Sequence, residues 1–101
     1  MFVMETIDDL WEHIAYTLAY APNNFPWEDF LQDNQQMNLD RAFEQLRQGV
    51  LVAYPEGSAA SKRTSLFDLL DQSFLAYAKG DELTGGRILH DFQDSIFASE
   101  G

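Results

Sequence analysis

Apolar side chains recur every three or four residues along most of this chain, which is the spacing of one face of an α-helix. Only the run 50–55 resembles a strand, and a lone strand has nothing to pair with. The 101 residues are enough for one domain and too few for two. We therefore expect an all-α protein, a small single domain over 1–101. It should have about five helices and end in an antiparallel helical hairpin.

Capping signals and a proline mark the first two predicted helices. Thr6 followed by Asp9 resembles a capping box, in which two side chains bond backbone N–H groups at a helix start. This spacing predicts helix 1 over about 7–20. Pro26 suits the first turn of a helix, so a short helix 2 is predicted over about 26–34.

The middle of the chain gives a third helix followed by a connector and a loop. Asn38 suits an N-cap, and Gly49 is a typical left-handed stop. The apolar run 50–55 should then cross the core as an extended connector. The polar segment 55–65 should be a flexible loop within the domain.

Similar signals bound the last two predicted helices. Ser65 with Asp68 repeats the capping-box spacing and predicts the start of helix 4, which Gly80 should end. Thr84 is the candidate cap of helix 5.

Aromatic residues divide into predicted core positions and one ambiguous pair. Four of them fall at core-like helical positions and are expected to be buried: Trp11, Phe43, Phe74 and Phe92. Phe25 and Trp27 instead flank a proline beside acidic residues. The sequence leaves open whether that pair is buried or forms an exposed contact for a partner.

Net charge restricts the classes of partner. Seventeen acidic residues face six basic ones, for a formal charge of −11. Direct nucleic-acid binding needs clustered Lys and Arg, and anionic membranes need the same, so neither is expected. The excess of carboxylates favours a partner protein that presents a basic surface.

Several other classes of protein are disfavoured by what the sequence lacks. The chain contains no Cys, which excludes thiol catalysis, disulfides and Cys-based zinc sites. It shows no signal-peptide pattern and no apolar run near ~18 residues, so we expect a cytoplasmic protein. Neither a nucleophile-elbow sequence nor a phosphate-binding glycine loop is present. We therefore expect no catalysis and no cofactor.

Two histidines each have an acid one helical turn away, His13 with Asp9 and His90 with Asp94. If helices 1 and 5 were neighbours, these four side chains could surround a divalent metal. With 17 acidic residues in the chain, however, an acid lies near any His by chance. We therefore expect no metal, and surface histidines paired with acids.

The first 40 residues hold eight acids and neither Lys nor Arg. A one-sided negative field of this kind speeds association with a basic protein. The predicted partner-binding residues are Asp8, Asp9, Glu12, Glu28, Asp29 and Asp33, with Trp27 as an apolar contact. Tyr16 and Tyr20 lie on the Glu12 side of helix 1 and would extend this surface. The alternative is that these acids only solvate the helices.

Two functions fit these features. The first is a non-catalytic acidic binding protein, such as an inhibitor or immunity-type protein that masks the nucleic-acid-binding surface of another protein. Its carboxylates would occupy a site shaped for phosphate. The alternative is a small structural or adaptor module that binds a partner helix through an apolar groove. Such a module could also use the groove to self-associate as a homodimer.

Overall fold

The computed structural model describes residues 4–21, 23–32, 36–55 and 60–97, and these ranges contain four α-helices and no β-strand. The helices are α1 (Ile7–Tyr20), α2 (Leu39–Ala53), α3 (Ala60–Ala78) and α4 (Glu82–Phe97). The all-α prediction is thus confirmed for the described part of the chain. None of these helices is both long and apolar enough to cross a bilayer.

All four helices contribute to one hydrophobic core. Its fully buried apolar side chains include Leu10, Ile14, Leu46, Val50, Leu66, Leu70, Leu89 and Phe92. Helix α2 packs against both α1 and α3, and α4 packs mainly against α3.

The predicted aromatic core is only partly correct. Phe92 and Phe43 are buried as expected, and Phe74 is half-buried against the core. Trp11 is 47% exposed, so its assignment to the core is wrong. The inward stripe of α1 includes the polar residues His13 and Thr17, which turns Trp11 toward the surface.

The N-terminus of α1 has the predicted capping box. The Thr6 hydroxyl accepts a hydrogen bond from the Asp9 N–H at 3.1 Å. The Asp9 carboxylate accepts from the backbone N–H groups of Thr6 and Glu5, both at 3.0 Å. These bonds satisfy donors that a helix start leaves unpaired, so α1 begins where the sequence predicts.

Gly49 does not end a helix, and the extended connector predicted after it is wrong over 50–53, because α2 continues to Ala53. A Cβ at Gly49 would overlap the side chain of Leu10. The missing side chain therefore lets α1 and α2 approach closely.

The short helix predicted over 26–34 is absent from 26–32, and residues 33 and 34 lie outside the described ranges. Short helices depend on packing of an apolar face. Trp27 and Phe30 are 62% and 74% exposed, so the aromatic stripe has no such packing surface.

Helix α3 begins at Ala60, five residues before the predicted start at Ser65. Residues 60–65 are therefore helical, and the loop predicted over 55–65 is wrong for them. Residues 56–59 lie outside the described ranges. Arg63 Nη1 donates to the Pro55 carbonyl at 2.8 Å, which ties the start of α3 to the chain after α2.

The junction between α3 and α4 is a helix stop followed at once by a helix cap. Gly80 has φ of +87°, and Asp81 N–H bonds the Ala76 carbonyl at 2.9 Å, as in a Schellman motif. The Asp81 carboxylate then accepts from Thr84 N–H at 3.1 Å, so Asp81 caps α4 in place of Thr84. The antiparallel hairpin stays a prediction.

Candidate protein-docking site

A loop rich in aromatic residues, 25–31, follows α1 and is here called the aromatic loop. The Leu31 N–H bonds the Glu28 carbonyl at 3.0 Å, which closes a four-residue turn. Asp29 and Phe30 occupy the two central positions of this turn, and both are exposed. The turn geometry therefore directs an acid and a large aromatic side chain into solvent.

Gln36 fixes the backbone of this turn. Its Oε1 accepts from Glu28 N–H at 2.9 Å, and its Nε2 donates to the carbonyls of Glu28 at 2.7 Å and Leu31 at 3.0 Å. Only 7% of Gln36 is exposed. A buried amide with three bonds holds the aromatic loop in one conformation, which lowers the entropic cost of binding a partner.

The aromatic loop exposes two large aromatic side chains. Trp27 and Phe30 are mostly exposed, and Tyr20 at the end of α1 is 36% exposed. Exposed aromatic side chains grouped in this way are typical of protein contact sites, where Trp and Tyr are enriched among the strongest contributors.

Phe25 faces inward and joins the aromatic loop to α1. Its ring stacks on Tyr16 with 5.8 Å between centroids, and Tyr16 meets Tyr20 edge-on at 5.0 Å. Phe25 also packs against the core. The question that the sequence left open is therefore resolved: Phe25 is packed, and Trp27 is exposed.

The electrostatics of Tyr16 show that Glu28 lies near α1. Burial raises the pKa of the Tyr16 hydroxyl, and the negative charges of Glu28 and ionised Tyr20 raise it further. Glu12 and Asp8 are exposed one and two turns before Tyr16 on α1. Because residues four apart share a helix face, the carboxylates of Asp8 and Glu12 lie on the face of α1 that carries Tyr16. Glu28 of the aromatic loop lies near that same residue.

One of the predicted binding residues is already bonded within the capping box of α1. Backbone N–H groups of Glu5 and Thr6 bond the Asp9 carboxylate and lower its pKa, so Asp9 serves as a helix cap. Asp33 lies outside the described ranges. Trp27, Glu28 and Asp29 are consecutive in the sequence and lie in the aromatic loop.

The two histidines do not form the metal arrangement considered from the sequence. His13 is buried, with Nε2 2.9 Å from the Ala42 carbonyl, so the expected surface position is wrong. Burial lowers its pKa, and the Ala42 carbonyl only partly offsets this. His90 is exposed on α4. Within the described residues, no three His, Cys, Asp or Glu side chains are grouped to hold a metal.

Two residues of this site were missed by sequence reasoning. The helical spacing of Trp27, Phe30 and Leu31 predicts one shared stripe and does not mark Phe30 as a contact residue. Gln36 gave no signal, since its role comes from bonds across the turn.

Comparisons of the chain with protein-family models, with curated proteins and with solved structures give no match. Function is therefore inferred from the chemistry of the described side chains.

Proposed function

We propose that this chain is a non-catalytic binding protein whose aromatic loop docks on a basic surface of another protein. The observation that carries the proposal is the exposure of Trp27 and Phe30 in a loop whose turn is held by the buried Gln36 amide. Two large aromatics held outward in one conformation can be buried by a partner with little loss of backbone freedom. That combination suits an interface contact better than a solvated loop.

Charge selects the partner. Glu28 and Asp29 lie beside the exposed aromatics, and Asp8 and Glu12 extend the acids along α1. A negative surface attracts a positive one over about a Debye length, near ~10 Å at moderate salt. An inhibitor or immunity-type protein that covers a nucleic-acid-binding surface is the concrete form that we favour, in a cytoplasmic setting.

Capture from the cells that make this protein tests the proposal. The chain is immobilised at low salt beside two variants with the same change in charge. One carries Glu28→Lys with Asp29→Lys. The other carries Asp68→Lys with Asp94→Lys, which alters exposed acids outside the loop. The unaltered chain and the second variant should capture the same basic protein, and the loop variant should lose it. Capture by all three would contradict the proposal.

The second candidate is a helical adaptor module, and one observation favours it. A groove of about 510 Å³ lies among α1, α3 and α4, lined in part by Leu18, Ala21 and Tyr77. Leu83 on the same groove is 75% exposed. If a partner helix or a second copy binds here, Leu83→Asp should abolish capture while the loop variant retains it. Binding should also persist at high salt.

A further inference from the structure

A second concave surface lies between α2 and α3, separate from the aromatic loop. The groove measures about 310 Å³, and its floor is formed by Phe43, Leu70 and Phe74. The rings of Phe43 and Phe74 meet edge-on, 5.6 Å apart between centroids and at 73°. Phe43 and Leu70 are buried, whereas Phe74 remains half-exposed and can accept a further contact.

The rim of the groove is negatively charged. It carries Asp40, Glu44 and Asp71 against a single base, Arg47, so three negative charges and one positive leave a net of −2. Arg47 is already paired with Asp71. Asp40 and Glu44 are exposed one turn apart on the same face of α2.

We propose that this groove, the α2–α3 groove, receives an arginine side chain of a partner protein. The aliphatic stem would lie on Phe74, and the guanidinium would reach the carboxylates of Asp40 and Glu44. A guanidinium stacks on an aromatic face, is weakly hydrated and bonds carboxylates through a planar fork. The ammonium group of lysine lacks the plane and holds its water more strongly, so arginine fits this groove better.

The chain already uses the same chemistry beside the groove. The Arg47 guanidinium lies 5.5 Å from the centroid of the Phe67 ring while it pairs with Asp71. An aromatic face and a carboxylate thus hold one guanidinium between α2 and α3. Phe74, Asp40 and Glu44 offer a second set of the same groups.

The inference does not depend on the aromatic loop, because the α2–α3 groove shares no residue with it. It adds a second docking point, and the nature of that point can be tested without knowing the partner. The probe is N-acetyl-arginine methylamide, added to the ¹⁵N-labelled full chain and followed by NMR. The citrulline analogue has the same shape without the charge, and the lysine analogue keeps the charge without the planar group.

The arginine probe should shift amide signals around Phe43, Glu44 and Phe74 in a saturable way, with smaller shifts for lysine and none for citrulline. Asp40→Asn with Glu44→Gln should weaken binding about fivefold or more, and Phe74→Leu about threefold. Asp68→Asn with Asp94→Asn removes the same charge elsewhere and should leave the affinity unchanged. Because these acids are exposed, the charge variants keep the fold even if Phe74→Leu disturbs packing.

The proposal would be overturned by an absence of saturable shifts, by shifts spread evenly over all acidic surfaces, or by equal binding of the arginine and lysine probes. Loss of binding in the control variant would equally assign the effect to net charge. If the aromatic loop fails to bind a basic protein, the result of this titration does not change. The proposal for the α2–α3 groove and the proposal for the aromatic loop are therefore tested independently.

Discussion

Gln36 bonds both backbone groups of Glu28, accepting from its N–H at 2.9 Å and donating to its carbonyl at 2.7 Å. A side-chain amide here takes the place of a backbone partner, eight residues away along the chain. This pairing makes a regular helix unnecessary in the aromatic loop, because the polar groups of Glu28 are satisfied without one.

Gln36→Met keeps the length of the side chain and removes all three hydrogen bonds. Because partly buried backbone groups of Glu28 and Leu31 would lose their partner, the free energy of unfolding should fall by about 1–2 kcal/mol. Hydrogen exchange should quicken at the amide of Glu28. Gln48→Met, on the exposed side of α2, is the matched control and should change neither. Slow exchange at Glu28 in the Gln36 variant would show that the amide does not hold the turn.

Adjacent glycines in α4 should respond to alanine in opposite directions. A Cβ on Gly85 would lie 2.7 Å from the Tyr77 ring, whereas one on Gly86 would meet only the Tyr77 hydroxyl at 3.4 Å. Gly86→Ala should raise the free energy of unfolding by about 0.5–1 kcal/mol through helix propensity. Gly85→Ala should lower it by about 1–2 kcal/mol, since the buried ring must move. Chemical denaturation measures both, and stabilisation by both would refute the close packing.

His13 should make the fold sensitive to mild acid. Its pKa in the folded chain is lowered from 6.5, chiefly by burial, so below that pH the unfolded chain binds a proton that the folded chain excludes. The free energy of unfolding should therefore fall as the pH drops from 6.5 toward the folded pKa. The slope is at most about 1.4 kcal/mol per pH unit for one proton.

Two variants separate His13 from the other histidine. His13→Gln should flatten the dependence of stability on pH between about 7 and 5.5, whatever its effect on stability itself. His90→Gln changes an exposed residue and should keep the slope of the unaltered chain. If the slope follows His90 instead, burial of His13 is not its cause.

Local signals predicted those parts of the fold that local bonds determine. The Thr6–Asp9 capping box gave the start of α1, and Gly80 gave the end of α3. Both depend on hydrogen bonds between residues close in sequence, so a single segment carries the whole signal.

Features that depend on distant contacts were mispredicted. Gly49 resembles a helix stop by propensity, but its absent Cβ makes room for Leu10, 39 positions away in the chain. The apolar run 50–53 is compatible with a buried helix or a buried strand, because a short apolar run does not distinguish the two. His13 has the sequence pattern of a surface residue, because its burial depends on the packing of α2 against α1.

The candidate site was partly predictable for the same reason. Charge is a property of composition, so the sequence alone predicts the acids Glu28 and Asp29 as contact residues with Trp27 beside them, and it leaves the exposure of Trp27 open. Their role in binding stays a prediction. Phe30 and Gln36 required the turn itself, because one faces solvent and the other faces the backbone only in that conformation.

Photo-crosslinking from the aromatic loop tests the central claim most directly. Replacing Phe30 by p-benzoylphenylalanine keeps an aromatic ring at an exposed position, and replacing Leu75, 54% exposed on α3, gives the control. In the cells that make this protein, position 30 should crosslink to a protein with a basic surface. Adding Glu28→Lys with Asp29→Lys should abolish that product. A crosslink from position 75 with none from position 30 would contradict the account.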